Sequence, residues 1–452
     1  MRRVLTLAYH FPPFGGAGVQ RNAQLARRLG DLGWSQTVIA GPGSGESRWT
    51  PVDAKLGAEE LPSEILRLPA TQPDGRRWAE RAERWLRAPS AWRKWWRGEV
   101  LRLVPEIRGP FDVIHASLAP YQTAEAAVEL ADLLDVPLVL DFEDPWALDD
   151  MLVYPTALHR SLERARMQRT LERADVVVMN TREAVRRVHA AFPRLAAEVV
   201  AIPNSFDGRD FVTVPSEPAP DDAFRIVHTG SFHTDLGLRG RRASRLRRAL
   251  GGYERNADFL ARSPAFLLEA IRSVLATRPE LITRLELHLA GVLTPEDEEL
   301  LGDAPFVHRH GFLTHDHTIA LIRTADLLFL PLYDLPVGRR AAIVPQKTYE
   351  YVASERPILA AVPDGDARDL LRACGTARLC RPTDVDALAT AILDFVGSEG
   401  PAATSLQPAH DVVRRCEAGQ MTQALTAVFE RAASRRRPDA RAAVGAVAVS
   451  VS

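Results

Sequence analysis

Short apolar runs alternate with helix-length amphipathic stretches along most of the chain, and the series runs twice. In the first series apolar runs fall at residues 4–9, 37–40, 65–68, 111–116 and 138–142, with helices beginning near Gly18 and Tyr121. A helix over 156–173, a run at 175–179, a helix from Thr181 and a run at 199–202 complete it. Strands separated by helices become parallel neighbours, because each crossover helix covers the sheet and returns the chain to the same end. Residues 1–205 are therefore expected to form a doubly wound α/β domain. The second series has runs at 224–228, 285–290, 307, 327–330 and 357–361, with helices from Pro264 and Pro295, over 315–323 and over 347–354. It predicts a second domain of the same architecture over residues 206–400. Within 405–432, the stretch 411–431 reads as one last amphipathic helix, expected to pack back on the first domain.

Between the two series, VPSEPAPDD at 214–222 is Pro-rich and acidic, a linker or surface loop. Residues 434–452 are Arg-rich and then Ala/Val/Ser-rich, as expected of a frayed tail. A length of 452 residues suits two or three domains. With 57 basic against 58 acidic residues the net charge is -1, so the chain as a whole is no electrostatic partner for nucleic acid. Three cysteines, Cys374, Cys380 and Cys416, lack metal-ligand spacing and fit a reducing compartment. No stretch approaches a membrane span, and the apolar run after Arg2 and Arg3 is too short for a signal peptide. A cytoplasmic protein is expected, with peripheral contact at the cytoplasmic face of the membrane left open.

Two insertions interrupt the alternation. Residues 76–108 carry ten basic against four acidic residues and five of the eight tryptophans, Trp78, Trp85, Trp92, Trp95 and Trp96. Trp78, Trp85 and Trp92 recur every seven residues and would share a helix face, although Pro89 should kink or split the helix. Two readings stand: a membrane-surface segment with interfacial aromatics and positive charge, or a core-packed helix with a solvated arginine face. The second insertion, residues 238–255, holds seven arginines and three glycines and reads as a mobile cationic loop.

The first chemical signal is HFPPFGGAGVQR, with Gly15, Gly16 and Gly18 between a strand and a helix start. Unpaired N–H groups and the macrodipole favour an anion at such a turn, and glycine lets backbone approach it. The plainer reading is a tight βα turn, and the spacing is not that of a dinucleotide fingerprint. The second signal is Gly230-Ser231 after a strand, Arg262-Ser263-Pro264 opening a helix, and VPQKTYEYVASERPILA. There Lys347 and Glu350 lie one turn apart, a cation for phosphate and a carboxylate for ribose hydroxyls; taken singly, such a pair is also an ordinary surface pair.

The ordered set AYHFPPFGGAGVQR, FDVIHAS, LVLDFEDPW, ADVVVMNT, IPNSFD, HTGS, LHLAG, HGFLTHDHTIALIRTADLLFLPL and PQKTYEYVASERPILA resembles the GT-B glycosyltransferases, specifically the retaining glycosyltransferase family 4. The resemblance implies two Rossmann-like domains facing across a cleft, with a nucleotide-diphosphate sugar held by the second and an acceptor by the first. It implies Arg262 and Lys347 as a diphosphate clamp, Gly15 and Gly16 as backbone donors, Gly230 and Ser231 in the donor site, and Glu350 as ribose ligand. His115 and the acids Asp141 and Asp144 end first-domain strands and are expected toward the cleft, with His115 positioning the sugar. Strand-end packing and turn capping are their plainer readings. No metal and no cofactor beyond the donor is implied, and the acceptor would be carbohydrate or lipid-linked, as in cell-envelope polysaccharide or glycolipid biosynthesis. The family usually carries a second glutamate where this chain has Ala342. That departure leaves two rivals standing, a nucleotide-sugar 2-epimerase of the same fold and a non-catalytic nucleotide-binding scaffold.

Overall fold

The computed structural model describes residues 1–44, 51–59, 61–69, 85–86, 90–213, 223–243, 249–252, 254, 256–397 and 406–435. The 214–222 linker, Trp78, Pro89, residues 244–248 of the arginine-rich insertion and the tail beyond 435 lie outside them. Seven strands, β1 (Arg2–Ala8), β2 (Trp34–Ala40), β3 (Ser63–Arg67), β4 (Val113–Ser117), β5 (Leu138–Phe142), β6 (Val176–Met179) and β7 (Glu198–Ala201), form one sheet in the order β3-β2-β1-β4-β5-β6-β7. Six more, β8 (Phe224–Thr229), β9 (Leu285–Ala290), β10 (Val307–Gly311), β11 (Leu327–Pro331), β12 (Ile358–Ala361) and β13 (Ala377–Cys380), form a second in the order β10-β9-β8-β11-β12-β13. Every strand pairing in both sheets is parallel. In each sheet the winding reverses beside the first strand, at β1/β4 and at β8/β11, and the carboxyl ends at such a switch point form a ligand crevice.

The central strands β1, β4, β5, β6, β11 and β12 read as apolar runs because both sheet faces are covered there, whereas β9 alternates and the edge strand β10 is largely exposed. In β1, Leu5 and Leu7 enter the main first-domain core, while Val4 packs on the opposite side with Leu425 and Phe429 of the helix Ala418–Ser434. The C-terminal segment departs from the expected single helix over 411–431. It forms two, His410–Arg415 and Ala418–Ser434, because Phe206 takes the backbone between them: its N–H donates to the Cys416 carbonyl (3.0 Å), and its carbonyl accepts from the Ala418 N–H (2.8 Å). Val412 and Cys416 pack in the second domain, whereas Met421, Leu425 and Phe429 pack on the first. The chain thus crosses between domains twice at one place.

The tryptophan-rich insertion contains the helix Ala91–Arg102, capped by Ser90, whose Oγ accepts from the Arg93 N–H (3.0 Å). Trp92 and Trp96 stack with ring centres 6.1 Å apart, and each meets Tyr9 edge-on at 5.2 Å. Trp96 is fully buried, and Trp92 and Trp95 pack against the same core. Arg93 and Arg97 on the outer side pair with Glu125 and Glu129. Of the two readings of this segment, the packing of Trp92, Trp95 and Trp96 matches the core-packed helix with a solvated arginine face. Among the described tryptophans of the insertion, Trp85 alone is half exposed. Among the described residues no helix is long and apolar enough to cross a membrane.

Phe429 is fully buried between Trp34 (5.6 Å) and His115 (5.2 Å). Phe429→Ala should destabilise the first domain by about 3–5 kcal/mol. Urea unfolding followed by tryptophan fluorescence checks this, since Trp34 reports on the site.

Candidate active site

A cleft of about 540 Å³ opens between the carboxyl ends of the two sheets, with walls from both domains. At the end of β1, Gly16 has φ 95°, a conformation costly for any residue with a Cβ, and it leads directly into the helix Ala17–Arg28. Gly16 lines the cleft, so the start of that helix faces the cavity. Gly15 does not line it: its N–H already donates to the Pro51 carbonyl at 2.6 Å, which removes it as a backbone donor to ligand.

The second domain supplies the cations. Gly230, just past β8, has φ 87°, and a methyl there would lie 3.0 Å from Lys347 Nζ, so the glycine makes room for the lysine. Lys347 stands in the first turn of the helix Gln346–Ala353, 3.2 Å from His228 Nε2. The other ring nitrogen of His228 lies 2.9 Å from the Phe329 carbonyl. An N–H there donates to that carbonyl and leaves Nε2 to accept from the lysine. Burial, reinforced by the nearby Arg262 charge, lowers the Lys347 ammonium to about 7. Arg262 ends the turn Phe259–Arg262, and its Nη1 donates to the Met151 sulfur at 3.0 Å. Among the described residues neither cation is in an ion pair. Ser231 and Glu350 complete this wall; Glu350 is buried, and burial raises its carboxyl against the opposing charges of His315 and Lys347.

The first domain answers with acids. Asp144 lines the cleft, and so do Glu143 and Asp149, which sequence reasoning missed. Burial and the neighbouring Asp144 charge push Glu143 up to about 8 and Asp149 to about 7. Glu143 Oε1 is enclosed without a hydrogen-bond partner among the described residues, and its carboxyl lies 3.3 Å from where a side chain on Gly18 would begin. Glu143 therefore sits against the first turn of the helix that opens on the cleft. The signal for it was in LVLDFEDPW, between the two aspartates that were singled out.

His115 and Asp141 are corrections. In β4, His115 follows Val113 onto the side packed by the C-terminal helix, where its Nε2 lies 3.3 Å from Asp141 Oδ2 and its ring meets Phe429. Arg21 grips Asp141 through Nε (2.8 Å) and Nη2 (3.0 Å) and also donates to the Pro203 carbonyl. Burial alone would raise Asp141, but Arg21 and His115 outweigh it and hold the carboxyl below its usual range. The pair is a structural clamp under the cleft floor. Ala342 is also off the cleft: it packs in the first-domain core, and its carbonyl accepts from Thr181 Oγ1 at 2.7 Å. Ile343 and Val344 line the cavity in its place. Asp53 was not foreseen either; its Oδ2 accepts from the His315 N–H at 2.9 Å, tying the two domains at the cleft mouth.

Two family models match the chain, a glycosyl transferase 4-like domain over residues 15–205 and glycosyl transferases group 1 over residues 260–398. Through these two domains the chain belongs to the group 1 glycosyltransferases. No curated protein matches it. The GT-B fold of this glycosyltransferase is similar to that of sucrose-phosphate synthase from Thermosynechococcus elongatus, with 15% identity and a TM-score of 0.64 over 95% of this chain and 99% of that one. It is similar to Anabaena Alr3699/HepE in complex with UDP and glucose, at 16% identity and a TM-score of 0.58, covering 95% and 100% of the two chains. A glycosyltransferase from Rickettsia africae ESF-5 gives 14% identity and a TM-score of 0.60, covering 96% and 99%. The group 1 model covers Arg262, Lys347 and Glu350, and the 4-like model covers Gly16, Glu143 and Asp144.

The raised Glu143 has a consequence for stability. From its ordinary value of 4.5 up to about 8, the folded protein keeps a proton that the unfolded chain has released. Glu143 therefore costs stability increasingly as pH rises through that window. Glu143→Gln removes the cost: the melting temperature of the variant should exceed that of the parent at pH 8 and converge with it near pH 4.5, as read by scanning calorimetry.

Proposed function

We propose that this group 1 glycosyltransferase moves a sugar from a nucleotide-diphosphate donor to an acceptor hydroxyl with retention of anomeric configuration and without a metal ion. The observation that carries the reading is the pair Arg262 and Lys347, two cations with no carboxylate in contact among the described residues, at a cavity that the helix start at Gly16 also lines. A diphosphate supplies the charge that these groups lack. As the bond from the sugar to the diphosphate breaks, negative charge grows on the departing oxygens, and fixed cations and helix N–H groups stabilise it most at that moment. Glu350, buried in the same wall, takes the ribose hydroxyls. The complex of HepE with UDP and glucose supports a donor of this class.

With His115 turned from the cleft, Asp144 is the first-domain carboxylate from the expected set that stands where an acceptor would enter. In a same-face transfer the donor's own phosphate oxygen receives the acceptor proton, so Asp144 orients that hydroxyl. The acceptor is a carbohydrate or a lipid-linked sugar of the cell envelope, and Gly230 and Ser231 hold the donor by backbone and hydroxyl contact. The cleft acids Glu143, Asp144 and Asp149 favour one rival, a nucleotide-sugar 2-epimerase, because elimination and re-addition need such groups.

Lys347→Ala and Arg262→Ala should each lower donor-dependent kcat/KM by about 10²–10³. Glu350→Ala should chiefly raise the KM for donor. Turnover of a panel of nucleoside diphosphate sugars, with products resolved by NMR, checks these values. A transferred sugar of unchanged anomeric configuration supports the reading, a C2-inverted nucleotide sugar replaces it with the epimerase, and unchanged rates in both cation variants remove the site assignment.

A further inference from the structure

Outside the cleft, one sheet face gathers histidines. Glu286 and His288 alternate on β9 with Leu285, Leu287 and Leu289, which fill the core, so the two polar residues share the opposite face. On β10, His308 lies directly across from His288 in register, and its ring stacks on the His288 ring at 4.6 Å. His288 Nε2 is 2.9 Å from Glu286 Oε2, and His288 Nδ1 is 2.9 Å from His310 Nε2. One donor atom each from Glu286, His288 and His308 can be chosen so that all lie within 4.8 Å of one another. None of these residues lines the cleft.

We propose that Glu286, His288 and His308 form a site for a divalent transition-metal ion, with zinc the best match to two imidazoles and a carboxylate. Bonds of about 2.0–2.1 Å in a tetrahedron set donor atoms roughly 3.3 Å apart, so the His288–Glu286 contact need open only slightly. At present Nε2 of His288 faces a carboxylate and carries the ring proton. A metal on Nε2 moves that proton to Nδ1, where His310 accepts it after taking the tautomer protonated on its own Nδ1, and no proton is gained or lost. His310 is thus a positioning residue that fixes the metal-binding tautomer. Arg225 Nε donates to Glu286 Oε2 at 3.2 Å and holds the carboxylate from β8. His308 is exposed while His288 is buried, which leaves the fourth coordination position open to solvent. The ion would clip the edge strand β10 to β9 just before Phe312 and Leu313 reach the cleft.

The test is a Co2+ titration of tag-free, metal-stripped full-length protein, followed by the visible absorption of the four-coordinate ion and by its displacement with Zn2+. One ion per chain should bind, with the band lost in His308→Ala and in Glu286→Gln. In His310→Gln the affinity should fall about 10–100-fold while the band shape persists. Far-UV circular dichroism and metal-free melting confirm that the variants fold, and His308 is exposed enough for its truncation to be benign. Absence of the band, or the same band in both ligand variants, overturns the proposal.

Discussion

Arg262 and Lys347 stand at a cavity shared by two domains, each without a carboxylate in contact among the described residues, and this constraint governs the rest of the site. A cation withdrawn from water loses hydration that only a well-placed counter-charge restores. The lysine shows the strain directly, its ammonium lowered to about 7 by burial and by the arginine. Across the cavity Asp144 and Asp149 offset the Arg262 charge through space, and Glu350 offsets that of Lys347 from the same wall. The acids are strained in the opposite sense, with Glu143 held near 8. A site in which burial partly neutralises Lys347 and keeps Glu143 protonated is poised to take a polyanion, which restores the lysine to full charge beside an arginine that is always charged.

The geometry behind that balance is set by contacts between the domains. Thr181, at the start of a first-domain helix, binds the Ala342 carbonyl, and Arg187 reaches both Asp150 and the Arg340 carbonyl. Tyr333 donates to Asp150 from the other domain at 3.1 Å, and Gln346 donates to the Ser205 carbonyl at 2.6 Å. The use of Ala342 in this interface gives a physical account of its small side chain. It occupies the first-domain core, where a glutamate would be a buried charge without a partner.

Both sheets were legible in the sequence because a strand covered on two faces is an apolar run, as in β5, and one covered on a single face alternates, as in β9; both match their expected bounds residue for residue. Arg262 and Lys347 were marked by the helix starts that Pro264 and Pro345 announce and by the family resemblance, and both line the cleft. Which face a strand-end residue takes was not. His115 lies one residue from Ala116, and the two point to opposite cores; only the packing of the C-terminal helix on Val113 decides between them. The break in that helix was equally hidden: Gly419 lies just past it, inside the second helix, and the competing hydrogen bonds come from Phe206, more than two hundred residues away in sequence. Asp53 and His315 met the same obstacle, being joined across domains.

These observations tie stability to chemistry through one feature, the double crossing at Phe206 and Glu417. The cations belong to the second domain and the acids to the first, so their mutual distance is a property of neither domain alone. Helix Ala418–Ser434 starts in the backbone pairing at the crossing and ends packed under β1, β4 and β6, against the face that carries the Arg21–Asp141–His115 clamp. Arg21 lies on the helix that Gly16 opens toward the cleft. The buried clamp therefore fixes that helix from below while the crossing fixes the second domain from the side. The balance of charge between Arg262 and the acids Asp144 and Asp149 depends on both restraints holding together.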